Sequence, residues 1–157
     1  MSETSELVFD FFKKFSSFEN VLRGKGLVRI QENGVICWND LKAELKKNNF
    51  SFTAKQKELT ILKKPPKVLR FKKGDITPSW EEGVVGVEDQ ELVVNVLVRV
   101  RNNLFHGSKH FADSTEGERN FSLISDALVV LDEVIKCIQI EDDYDDVLDY
   151  WETQVIR

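Results

Sequence analysis

Two residues of this chain have the types and the spacing for chemistry on a phosphate: Arg101 and His106, in Arg-Asn-Asn-Leu-Phe-His. A guanidinium offers a planar fork of donors that matches phosphate oxygens, and an imidazole exchanges a proton near neutral pH. On an uninterrupted helix the two positions lie about 140° apart, too far round to hold one group comfortably. Gly107 follows directly. Glycine is the usual left-handed residue that ends a helix, so His106 is expected at the last helical position, with the chain free to turn it back toward Arg101. A helix C-terminus also favours the protonated imidazole. By spacing alone, a histidine that merely caps the helix is the commoner outcome, and both readings stand.

The element that carries the pair must be identified first. Glu88 to Phe105 contains Leu-Val-Val-Asn-Val-Leu-Val-Arg-Val, a run rich in β-branched residues. Such residues favour strands, but the alternation a half-buried strand needs is absent. Apolar residues recur instead at Leu92, Val93, Val96, Leu97, Val100 and Leu104, behind the acidic start Glu88, Asp89 and Glu91. This spacing predicts a helix. Val94, Val98 and Phe105 make a second apolar stripe with Arg101 inside it, which predicts a partly desolvated guanidinium and a helix either central in the fold or shared with a second protein, a homodimer through this helix being the expectation. Asn95, Arg99 and Asn102 fall on the wet side.

Around that helix the pattern predicts others. Leu7, Phe11, Phe15, Phe18 and Leu22 form the stripe of a first helix, flanked by Val8 and Phe12 and stopped by Gly24 and Gly26. Asn33-Gly34 suits a small hairpin within Leu27 to Trp38, or a loop. Asn39 or Asp40 can cap a short helix to Lys47, and Thr53 with Gln56 forms a capping box for another ending before Pro65-Pro66. Residues 65–87 hold all three prolines and three glycines, and read as a long connection or insertion. A long helix opened by Asp113 or Thr115 places Phe121, Ile124, Leu128, Leu131, Ile135 and Ile138 toward the core. Asp142 and Asp143 precede a last short helix with Val147, Tyr150 and Trp151. The expected architecture is all-α, an up-and-down helical bundle in a single domain over residues 1–157.

Charge divides the chain in two. Residues 1–80 hold 16 Lys and Arg against 9 Asp and Glu, whereas residues 81–157 hold 6 against 18. Lys63 to Lys73 is the densest basic stretch, and Lys67, Arg70, Lys72 and Lys73 are its candidates for holding a nucleic-acid backbone. A solvated basic loop is the equal alternative. Cys37 and Cys137 have no metal-ligand spacing and read as buried thiols. No Asp, Glu and His cluster has metal-ligand spacing, so neither a metal nor another cofactor is expected. The acidic start Met-Ser-Glu-Thr-Ser-Glu and the lack of a long apolar run point to a cytoplasmic protein away from membranes.

Arg101 to Gly107, near the end of an apolar helix and followed by Ser108-Lys109, resembles the Arg-x4-6-His signature of the HEPN superfamily (higher eukaryotes and prokaryotes nucleotide-binding domains). Asn102, the polar residue after the arginine, is typical of members thought to be active. Phe11-Phe12 to Phe18-Glu19, Trp38 before a short helix and Pro65-Pro66-Lys67 extend the likeness to small stand-alone HEPN proteins of plasmids and mobile elements. The resemblance implies a HEPN-type bundle and a homodimer whose motifs share a cleft through the motif helix. It also implies metal-independent endoribonuclease activity, a hydrolase-like toxin or defence role. Arg101 and His106 would be catalytic, with Asn102 in support. Beside the motif, Lys109 is a supporting candidate that with His110 could assist phosphate binding, and for both the favoured alternative is an exposed loop residue. An antitoxin is a possible partner, although Ser108 stands where some HEPN toxins carry a tyrosine that a partner modifies. The rival expectation is a catalytically silent HEPN module that binds RNA, a nucleotide or a protein. A plain dimeric scaffold is the third.

Overall fold

The computed structural model describes residues 3–70, 73, 74, 79–81, 83, 87–106 and 114–155. The chain is mostly helical. Its helices are α1 (Glu3–Gly24), α2 (Trp38–Lys47), α3 (Thr60–Lys63), α4 (Asp89–His106), α5 (Ser114–Cys137) and α6 (Glu141–Tyr150). A π-helical turn, Trp151–Val155, continues α6. The helices form a bundle in which α1 packs on α5 and α6, and α4 packs on α5 and α2. No helix among the described residues is long and apolar enough to cross a membrane.

The core follows the spacing of apolar residues. Phe11, Phe15, Phe18 and Leu22 of α1 are buried, as are Val93, Val96, Leu97 and Val100 of α4 and Ile124, Leu131 and Ile135 of α5. Each such side chain contributes about 2 kcal/mol through its removal from water. Phe15 stacks on Phe11 at 5.5 Å and meets the Trp38 ring of α2 at 5.8 Å. Phe121, expected in the core, is exposed. It belongs to the first half of α5, where among the described side chains Asn120, Leu123 and Ile124 are buried, a different arc of the same helix.

Three helices end by one device. After α1, Gly26 adopts φ +65°, with Gly26 N–H donating to the Arg23 carbonyl and Leu27 N–H to that of Leu22. This is the Schellman arrangement. Asn49 closes α2 and Gln139 closes α5 in the same way, at φ 56° and 59°.

The capping box at Thr53 and Gln56 is present, each backbone N–H donating to the other side chain, at 2.9 and 3.1 Å. It opens only a 3-10 turn, Gln56–Glu58, and the four-residue α3 follows. At α2, neither Asn39 nor Asp40 caps the helix. The chain enters helix at Trp38, and the Asp40 carboxylate instead accepts the Arg29 backbone N–H at 2.7 Å and its guanidinium at 3.0 Å.

Paired strands occur elsewhere than the Asn33-Gly34 signal suggests. There the chain makes a single antiparallel bridge, Ile30 to Ile36, around Gly34 at φ +81°. Within residues 65–87, β1 (Val68–Arg70) pairs antiparallel with β2 (Ser79–Glu81), Leu69 opposite Trp80. The returning arm crosses Pro65-Pro66 at Gly83, where a Cβ would stand 2.7 Å from the Pro65 Cβ and 2.8 Å from the Pro66 carbonyl oxygen. Only a residue without a side chain fits there.

Candidate functional site

Arg101 and Asn102 lie one turn before the end of α4, whose backbone stays helical through His106. The Arg101 side chain is 36 % exposed and points toward α1. Its Nε stands 3.6 Å from Glu19 Oε1, and its Nη1 donates to Asn102 Oδ1 at 3.2 Å. The other Glu19 oxygen accepts from Arg23 Nη1 at 3.5 Å. One carboxylate therefore serves two guanidinium groups at the edge of a cleft of about 110 Å³, lined by Phe12, Phe15, Ser16, Glu19, Arg23 and Arg101.

The electrostatics of this cluster are mixed. Burial pushes the Glu19 carboxyl above the usual carboxylate range, and Arg101 and then Arg23 pull it back. Desolvation is the larger effect, so the site holds its negative charge at a cost. A phosphate would add a second anion there unless the carboxylate moved aside or took a proton.

The helix places its other candidates on another side. Asn95, Arg99, Asn102 and position 106 fall within about 60° of one another, and position 101 lies about 100–160° away from all four. The Asn103 amide, flanking that group, donates to the Lys67 carbonyl at 3.0 Å and fastens the start of the ribbon to α4. Arg99 lines a shallow groove with Pro65, Pro66, Asn95 and Val96. The basic segment thus joins α4 on the face turned away from Arg101. Arg70 on β1 pairs with Glu81 on β2 at 3.2 Å, and Lys73 is exposed. Lys72, Gly107, Ser108, Lys109, His110 and the His106 side chain lie outside the described residues.

Val94 is buried at 2 % exposure and Val98 packs half-buried on the same core. The apolar stripe from which a second copy was expected is covered to that extent within the chain, because α4 touches α1, α2, α3 and α5 at once. Cys37 and Cys137 are free and half-buried rather than buried. Among the described residues no group of three His, Cys, Asp or Glu side chains is placed to hold a metal ion.

Sequence reasoning did not single out Glu19, Arg23 or Arg99 as functional. A signal for Glu19 existed: it follows Phe18 on the flank of the aromatic stripe, four residues after Phe15, where an acid borders the core. Nothing local distinguished Arg99, which acquires its neighbours from Pro65 and Pro66.

Between α4 and α5, Asn120 is buried and its amide nitrogen has no hydrogen-bond partner among the described residues. It borders a space of about 20 Å³ beside Pro66, Asn103 and Leu104, room for one water.

No family model, curated protein or solved structure matches the chain.

Proposed function

We propose that the chain is a HEPN-type protein that binds RNA and cleaves it without a metal ion, as a toxin or in defence against mobile elements. The observation that carries this reading is Arg101, a half-exposed guanidinium at the mouth of a cleft, five residues before a histidine at the end of the same helix. The chemistry is consistent. His106 takes the proton of a ribose 2'-hydroxyl as its oxygen attacks phosphorus, and the departing 5'-oxygen receives a proton from a second imidazole. The guanidinium stabilises charge on the phosphoryl oxygens. In a homodimer each copy supplies one imidazole; the dimer rests on the HEPN resemblance.

The test is cleavage of varied single-stranded RNAs in EDTA. Wild type should leave a 2',3'-cyclic phosphate, and His106→Ala should abolish the cut while still melting cooperatively. A wild type inert on every RNA, or active only with added divalent metal, overturns the ribonuclease reading.

One observation favours the silent binding module instead. Glu19 already faces Arg101 at 3.6 Å, so the arginine is engaged by its own chain. RNA binding without cleavage, unaffected by His106→Ala, is the result that selects this second reading.

A further inference from the structure

The face of α4 turned away from Arg101 carries a cation in an unusual setting. Arg99 is half-buried in the groove beside Pro65, Pro66 and Asn95. Among the described residues no carboxylate reaches it. Burial disfavours its charge, and the Arg70 guanidinium on β1 disfavours it further. Arg70 has Glu81 for itself at 3.2 Å, so that acid is spent within the ribbon. A partly desolvated cation with a second cation beside it is costly until an anion arrives.

The groove is held rather than loose. Asn103 bonds the Lys67 carbonyl on one side, and Gly83 presses on Pro65 and Pro66 on the other. Its enclosed space is only about 10 Å³, enough for a phosphate oxygen and too little for a base or a sugar. Its surroundings extend the charge: Lys64 and Arg70 are exposed and Lys67 is half-exposed. Along α4 the same face leads from Asn95 through Arg99 and Asn102 to position 106, a rise of roughly 10 Å from Arg99 to the motif histidine.

We infer that Arg99, with Asn95 and the Lys67 to Arg70 edge, is a contact for a backbone phosphate of single-stranded RNA, which lies along this face of α4 toward position 106. The guanidinium grips one phosphate through its fork, and the Asn95 amide donates to the same group. A strand backbone suits a shallow groove lined by several cations, whereas a mononucleotide would find no pocket for its base. The choice of RNA over DNA rests on the function proposed above.

The experiment is fluorescence anisotropy with a labelled 2'-O-methyl oligoribonucleotide, which cannot be cleaved, across a range of salt concentrations in EDTA. Arg99→Gln should weaken binding about tenfold and lower the salt slope by about one. Arg99→Lys should restore the slope but only part of the affinity, since it keeps the charge and loses the fork. Lys47→Gln, an exposed lysine at the far end of α2, should change little. Inorganic phosphate and a mononucleotide should compete only at concentrations far above those of the oligonucleotide. Equal competition by phosphate would reduce the site to a small-anion pocket and overturn the inference. So would unchanged binding by a folded Arg99→Gln, preference for the deoxy oligonucleotide, or no binding by wild type. Binding through Arg99 with no cleavage of ordinary RNA would leave this inference standing and remove the ribonuclease reading. Cleavage with Arg99→Gln binding undiminished would do the reverse.

Discussion

Arg101 of α4 stands 3.6 Å from the Glu19 carboxylate of α1, so the residue expected to hold a phosphate also ties two helices of the bundle together. Removing it should do more than silence a site. Arg101→Ala leaves a mostly buried carboxylate with Arg23 alone and should cost about 1 kcal/mol, a value kept small by the arginine's own exposure. Combining it with Glu19→Gln should recover most of that loss. A denaturant double-mutant cycle checks this, and simple additivity would show that the two side chains do not act as a pair.

The carboxyls of Glu19 and Asp40 should pull the pH dependence of stability in opposite directions. Glu19 holds its proton more tightly folded than unfolded, so its contribution is full below pH 4.5 and declines as pH rises through its folded value. Glu19→Gln should flatten the stability profile between pH 4.5 and neutrality. Asp40, held down to about 2 by Arg29, contributes above pH 3.8, and that contribution disappears as pH falls toward 2. Asp40→Asn should remove the acid-side loss. Urea midpoints from pH 2 to 7 distinguish the two, and coincident profiles for wild type and both variants would refute the assignments.

Gly83→Ala should loosen the ribbon. The added methyl would meet Pro65 and Pro66 below 3.0 Å, and the displacement should cost about 1–3 kcal/mol. Thermal melting should drop by a few degrees, and amides of β1 should exchange faster than those of α5. An unchanged melting temperature together with unchanged exchange would show that the arm yields freely.

Gln139→Gly should stabilise the protein. Gln139 closes α5 at φ 59°, a conformation that costs a side-chain-bearing residue about 1 kcal/mol and glycine almost nothing. The variant should raise the denaturation midpoint. A lower midpoint would mean that the entropy glycine adds to the unfolded chain outweighs the relief of strain.

The aromatic stripe of α1, the apolar repeat of α4 and the α5 pattern from Ile124 onward were legible because a 3.6-residue period determines which side chains share a face. So was the end of α1 at Gly24 and Gly26, since glycine punctuation is a local property. The partners of charged residues were not local. Glu19 reaches Arg101 across 82 positions, and Lys67 meets Asn103 across 36, through helix packing that no window of sequence contains. The same packing buries Val94, whose place on a second apolar stripe said only that something must cover it. Residue types alone proposed a phosphate ligand at Arg101. Tertiary structure decided that an acid of α1 would face it, and that the basic segment would join α4 from the other side.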